Sequence, residues 1–299
     1  MLEAQAHQQI KSLLRREESS WPHHLTLSRL VGRSLRRRDT TLVQLPPSSG
    51  ERWWLGLLVP LCLAPNAGAL VLTAQQRRRL LRLEIPRLRK QGLRLPCWQG
   101  STAPKGNQLW LLSVAELIDA HRQGQLGERQ LLIPEMDQLS VRMREQLSIR
   151  IENHHWDELR HACPHAESAL LELHDRMSRQ LFMRATRTDA CMRMEGAASQ
   201  SLRDLLRLMD DCPSPWRDIV QIDPSQWAEW AELDHKLLHW SWNLAPLEPL
   251  DLVGDLLQSH PSLMLSSNGD NGRLELEFRQ AAIRPDVRAS LRERELNEP

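Results

Sequence analysis

Short apolar runs alternate with stretches of helical spacing along the first half of the chain, and turn residues separate them. Leu42, Val43 and Leu45 stop at Pro46-Pro47-Ser48-Ser49-Gly50, and a second run (Trp53, Trp54, Leu55, Leu57, Leu58, Val59) follows at once. This reads as strand, tight turn, then a helix to about residue 63. Runs at 69–73, 109–112, 130–133 and 263–266 read as further strands, and the continuous one at 69–73 suits a central parallel strand. Leu25, Leu27, Leu30, Val31 and Leu35 repeat at helical spacing. Residues 75–88 predict a basic amphipathic helix that Pro86 bends or ends, and 114–121 a short one. Residues 1–19 read as a polar helix, interrupted by Trp21-Pro22-His23-His24, and a short strand is expected near 93–95. Pro65-Asn66-Ala67-Gly68 signals a turn.

Strand and helix alternating over about 110 residues imply a parallel α/β sheet. Such sheets bind ligands at the carboxyl ends of their strands, which puts residues 46–52, 74–76 and 134–138 along one edge. The pattern then changes. From 139 to 242 helical spacing dominates, as in Leu139/Met143/Leu147, Leu170/Leu173/Met177/Leu181 and Leu202/Leu205/Leu206/Met209. This predicts a helical insertion that closes with a Trp-bearing helix at 227–242. Residues 274–278 are expected as an edge strand and 284–299 as a charged tail, mobile or loosely helical. The expected division is 1–138, the first part of the sheet domain; 139–242, the insertion; and 243–299, the return to the sheet and the tail.

Charge refines this picture. The formal net charge is only +1, yet the first hundred residues are strongly basic, with Arg36-Arg37-Arg38 and Arg77-Arg78-Arg79 as the densest runs. These six arginines are candidate nucleic-acid contacts; the alternative is a solvated, Arg-rich helix surface. The five cysteines show no CxxC or Cys/His knuckle, so neither zinc nor an iron–sulfur cluster is indicated. Their odd number, with no secretion signal, favours a reducing cytoplasm. No stretch approaches the roughly 18 uncharged apolar residues of a membrane span.

The turn at 46–52 has the outline of a phosphate-binding loop. In a working loop, glycines let the backbone curl around phosphate, a lysine reaches the outer phosphates, and Ser or Thr holds magnesium. Here Glu51 and Arg52 stand where Lys and Ser/Thr would, and Ser48 replaces a glycine.

The order of these signals resembles the first motor lobe of DinG/XPD-type superfamily 2 DNA helicases, and particularly the small helicase-like proteins of cyanobacteria. Pro46-Pro47-Ser48-Ser49-Gly50-Glu51-Arg52 stands at the family's motif I, Ala69–Ala74 at motif Ia, and Leu131–Leu139 at motif II. In motif II, Asp-Glu-Ala-His is matched by Pro134-Glu135-Met136-Asp137. Ser266, Ser267, Asn268 and Gly269 fall at motif III, and Trp21-Pro22-His23-His24 near a purine-recognising turn whose Gln is not kept. The resemblance covers about residues 20–280. It implies a RecA-like P-loop NTPase sheet with a mainly helical, arch-like insertion, and a second motor lobe outside this sequence.

By that resemblance Glu135 keeps the place of the carboxylate that orients attacking water. Pro134 removes the one that holds magnesium, and Glu51 inverts the charge of the lysine. The nucleotide site is therefore expected to be vestigial, with ATP and magnesium relevant only if it still functions. The chain is expected to bind single-stranded or forked DNA, or a protein partner that supplies the second lobe. A still-active helicase or ATPase subunit and a non-enzymatic interaction scaffold are the alternatives.

Other candidates carry plainer readings beside the functional ones. His154-His155 with Glu152, Asp157, Glu158 and His161 have helical spacing, but a metal needs three converging ligands; a polar helix surface is the plainer reading. Trp227, Trp230, Trp240 and Trp242 could stack bases or pack a core. Lys105 reads as an ordinary turn residue. Ser48-Ser49 lacks the context of a nucleophile elbow.

Overall fold

The computed structural model describes residues 2–15, 21–64, 67–186, 190–194, 196–209, 211–267 and 271–292. Asn268, Gly269 and the expected turn at 65–66 lie outside them. The chain divides into two compact units, Met1–Met143 with Leu250–Pro299, and Arg144–Pro249. Its strands are β1 (Thr41–Gln44), β2 (Gly68–Val71), β3 (Cys97–Trp98), β4 (Leu109–Leu112), β5 (Gln130–Ile133), β6 (Ile149–Ile151), β7 (Cys191–Arg193), β8 (Trp227–Asp234), β9 (His239–Pro246), β10 (Ser262–Ser266) and β11 (Val287–Ser290).

The first unit is built on a seven-stranded parallel sheet in the order β11-β1-β10-β5-β2-β4-β3. Strands β2, β4, β5 and β10 are buried along their length, which is why they read as unbroken apolar runs. Helices Leu2–Leu14, His24–Arg37 and Trp54–Leu63 belong to one core with the sheet, through Ile10, Leu27, Val31, Leu58, Val43, Leu70 and Leu265. Trp54–Leu63 is apolar on every side and is buried accordingly. Gly56 permits its close approach to His24–Arg37, since a Cβ there would stand 2.7 Å from Leu27 Cδ2.

Several elements differ from expectation for identifiable reasons. Pro86 does not end the helix after β2. A π-helical segment, Leu80–Glu84, with Ile85 N–H donating to Leu80 O, joins Ala74–Arg79 to Ile85–Lys90, so of the two expected outcomes, a bend or an end, the helix does not end there. The strand expected near 93–95 forms instead at Cys97–Trp98. Residues 274–278 are helical, within Asn271–Gln280, because Leu274 and Phe278 share an inward face while Leu276 is exposed. Part of the expected mobile tail is β11, an edge strand paired to β1.

The second unit holds helices and a four-stranded antiparallel sheet, β6-β9-β8-β7. The expected Trp-bearing helix at 227–242 is the hairpin β8–β9. Its apolar residues recur at every second position: Ala231 and Leu233 pair with Trp242 and Trp240, all buried. The fold class is thus mixed α/β, with a RecA-like parallel core sheet and an insertion that is sheet as well as helix. Trp156 stacks on His174 at 4.3 Å and meets Trp216 edge-on at 4.7 Å within that insertion core.

His24 gives the first unit a pH-dependent stability. It is buried, edge-on to Trp21 at 4.9 Å. Burial, then the charge of His23, pushes its pKa from 6.5 down to about 4. The unfolded chain therefore takes up a proton near pH 6.5 that the folded chain refuses until about pH 4. Stability from this group is complete above the unfolded value and is lost as pH falls through that window, by up to about 3 kcal/mol. His174, also lowered to about 4, chiefly by burial and then by Arg160, acts in the same sense in the second unit. Urea denaturation at about pH 7.5 and about pH 4.5 measures the loss, and His24→Phe removes roughly half of it.

Candidate functional site

Because every strand pair of the large sheet is parallel, the segments that follow β1, β10 and β5 emerge at one edge, side by side. Gln44 pairs with Ser266 and Met264 with Ile133. Leu45 N–H donates to the Ser266 carbonyl at 2.7 Å, so the pairing continues into the start of the loop. Residues 46–52, 134–137 and 266–267 are thereby neighbours along the carboxyl edge.

The loop after β1 is tight. Pro46 is extended, and Pro47–Ser49 form a single 3-10 turn. Ser49 N–H donates to Pro46 O at 2.9 Å and Arg52 N–H to Ser49 O at 3.0 Å. Two of the loop's amides are thus spent on its own carbonyls, and Pro46 and Pro47 have none to offer. Gly50 has φ +50, which a side chain would strain, and the space beside it is open. Ser49 is fully buried, its hydroxyl without a hydrogen-bond partner. Trp53 and Trp54, with rings 4.2 Å apart in the core, anchor the exit of the loop. Arg52 is exposed.

Glu51 is paired with Arg79, on the helix that follows β2. Arg79 Nε also donates to Glu84 at 3.1 Å, and Arg87 stands 3.4 Å from the other oxygen of Glu84. Burial works against the charge on Arg79, but the hydrogen bond and charge of Glu84, with those of Glu51, outweigh it and raise its pKa. The result is an alternating chain Glu51–Arg79–Glu84–Arg87, with the Glu84 carboxylate as its buried member. Sequence reasoning missed Glu84 and the reach of Arg79. One signal was available: residues 74–108 hold nine Lys and Arg and a single acidic residue, Glu84.

At the neighbouring loop Pro134 is buried, and Glu135 is paired with Arg142 on helix Met136–Leu147. One oxygen of Asp137 is buried without a hydrogen-bond partner, and the other accepts from Gln138 at 3.3 Å. Ser266 is buried at the end of β10, and Ser267 half-buried.

The six arginines of the basic runs are dispersed in their engagements. Arg36 pairs with Glu3 at 2.7 Å, Arg38 donates to the Glu128 carbonyl, and Arg77 pairs with Glu116. With Arg79 tied to Glu51 and Glu84, only Arg37 and Arg78 are exposed without a described partner. A guanidinium already paired within the chain must give up that partner to reach a phosphate.

Among the described residues no three His, Cys, Asp or Glu side chains converge as metal ligands. The paired histidines are otherwise engaged: His155 Nδ1 accepts from Glu152 N–H at 3.0 Å and its ring lies 3.8 Å from that of His154. Among the described residues no helix is long and apolar enough to cross a membrane.

No protein-family model and no curated protein matches the chain. Among solved structures, one described as an XPD helicase is similar in fold, with a TM-score of 0.52 at 12% identity. The likeness covers 91% of this chain and 62% of that one. The chain thus spans less than two thirds of the length of the structure it matches. At that identity the likeness is one of fold alone.

Proposed function

We propose that this chain is a helicase-type first motor lobe of the DinG/XPD kind that has lost ATP turnover and acts by binding nucleic acid. The observation that carries the reading is the placement of Glu51. It occupies the loop position of the phosphate-binding lysine, and its carboxylate is held by Arg79. A triphosphate set against this loop meets a negative charge where catalysis needs a positive one, a penalty of several kcal/mol in a partly buried site. The tight turn supports the same reading, since two amides that would cradle phosphate are already bonded within it. Pro134 offers no carboxylate to magnesium, and Glu135 faces Arg142. The residues present do not fit magnesium and ATP, so no catalytic step is assigned to them.

A phosphate-release assay with and without single-stranded DNA, run beside Glu135→Gln, tests this. The expected result is one background rate in all four reactions. DNA-stimulated release that Glu135→Gln abolishes would overturn the reading.

A further inference from the structure

A further group of exposed cations lies at the other edge of the sheet. Helix Ile85–Lys90 ends in a Schellman-type turn, with Gly92 at φ +75 and Leu93 N–H donating to Leu88 O at 3.0 Å. The chain then enters β3, with Pro96 O accepting from Leu109 N–H at 2.9 Å. Residues 89–96 therefore precede a strand and lie at the amino edge of the sheet, opposite the loops that follow β1, β5 and β10. Arg89, Gly92, Arg94, Leu95 and Pro96 line an open cleft of about 730 Å³ there.

Arg82, Arg89, Lys90 and Arg94 are all exposed, and among the described residues none has an acidic partner. The helix C-terminus contributes about half a negative charge, which four cations outweigh. Two residues beyond Pro96 stands Trp98, 39% exposed, its indole N–H donating to Thr102 O at 2.8 Å and so fixing the ring. Guanidinium groups beside apolar Leu95 and Pro96 line the cleft, and the fixed, half-open indole stands past that lining, its ring against Gly100; cations and an aromatic face in succession suit phosphates and unpaired bases.

We infer that this cleft is the seat of single-stranded nucleic acid, with Arg89 and Arg94 on successive phosphates and Trp98, beyond the cleft's lining, stacking a base of the strand that leaves it. The inference rests on the reading above that the chain binds nucleic acid, and it locates that binding away from the decayed nucleotide edge. Exposed Leu83 beside Arg82 would also suit an anionic lipid surface, and the experiment distinguishes the two.

Fluorescence anisotropy with a labelled oligothymidylate of about 20 nucleotides, at about 50 and about 200 mM salt, reads the binding. Arg89→Glu/Arg94→Glu is expected to weaken it at least about tenfold and to flatten the log–log salt slope by about 1.4, two single-strand phosphate contacts. Arg89→Lys/Arg94→Lys keeps most of the affinity, and Trp98→Ala loses about 5- to 100-fold. Arg176→Glu/Arg217→Glu, of equal charge change on two exposed arginines of the Arg144–Pro249 unit, stays within about threefold of the unaltered chain. No binding by the unaltered chain at low salt overturns both readings. Binding that Arg89→Glu/Arg94→Glu leaves intact overturns this inference alone. So does tighter binding to phosphatidylserine vesicles than to the oligonucleotide.

Discussion

Glu229→Ala lowers the stability of the Arg144–Pro249 unit by about 3–5 kcal/mol. Arg203, on helix Gly196–Arg207, is 1% exposed and paired with Glu229 of β8. Its guanidinium carbon lies 5.6 Å from the centroid of the buried Trp242 ring. Removing the carboxylate leaves a desolvated cation whose remaining support is the face of an indole, worth about 2 kcal/mol at best. The pair is imperfectly satisfied even when intact, since Arg203 Nε and one Glu229 oxygen are buried without a hydrogen bond. Replacing both residues by apolar ones of similar length, Arg203→Met with Glu229→Leu, should therefore recover most of the loss. Urea denaturation of the two variants measures the difference, and equal losses would show that packing, not charge, is what Glu229 contributes.

The second large effect falls on the network beside the loop at 46–52. Arg79→Ala should cost about 2–3 kcal/mol, because the Glu84 side chain, 4% exposed, keeps only the longer contact to Arg87. Glu51→Ala should cost less than about 1 kcal/mol, since Glu51 and Arg79 are each about a third exposed and their pair is screened. Glu84→Gln on the Arg79→Ala background should restore part of the stability by removing the unpaired charge. The contrast assigns roles: Glu84 holds Arg79 in place for the fold, while Glu51 sets the sign of charge in the loop. Thermal melts of the three variants check the ranking, and a Glu51→Ala loss equal to that of Arg79→Ala would refute it.

The sequence made the large sheet legible where burial erases alternation. Leu131-Leu132-Ile133 and Leu263-Met264-Leu265 are covered on both faces, so strand type and even the shared edge of their loops followed from fold rules. The hairpin at 227–242 was not legible. Eight-residue strands rich in Trp, Ala and Glu also satisfy helical spacing, and only the cross-strand partners select period two. Likewise Leu274 and Phe278 fit an edge strand until a buried i,i+4 face is seen. At the candidate site, the substitutions Glu51 and Pro134 were visible as residue types. Their engagements were not, because Arg79 lies 28 positions from Glu51 and reaches it only through the crossover that carries helix Ala74–Arg79. The same holds for the basic runs. Charge density marked Arg36–Arg38 and Arg77–Arg79, but tertiary pairing took four of the six, while the sparser Arg82, Arg89, Lys90 and Arg94 have no acidic partner among the described residues.

On this reading the loop at 46–52 takes up no nucleotide. Isothermal titration of the chain with ATP and magnesium measures this. No saturable heat is expected up to about 1 mM nucleotide, a binding free energy weaker than about −4 kcal/mol. Magnesium-dependent, one-to-one binding in the micromolar range, weakened by Gly50→Asp, would contradict it.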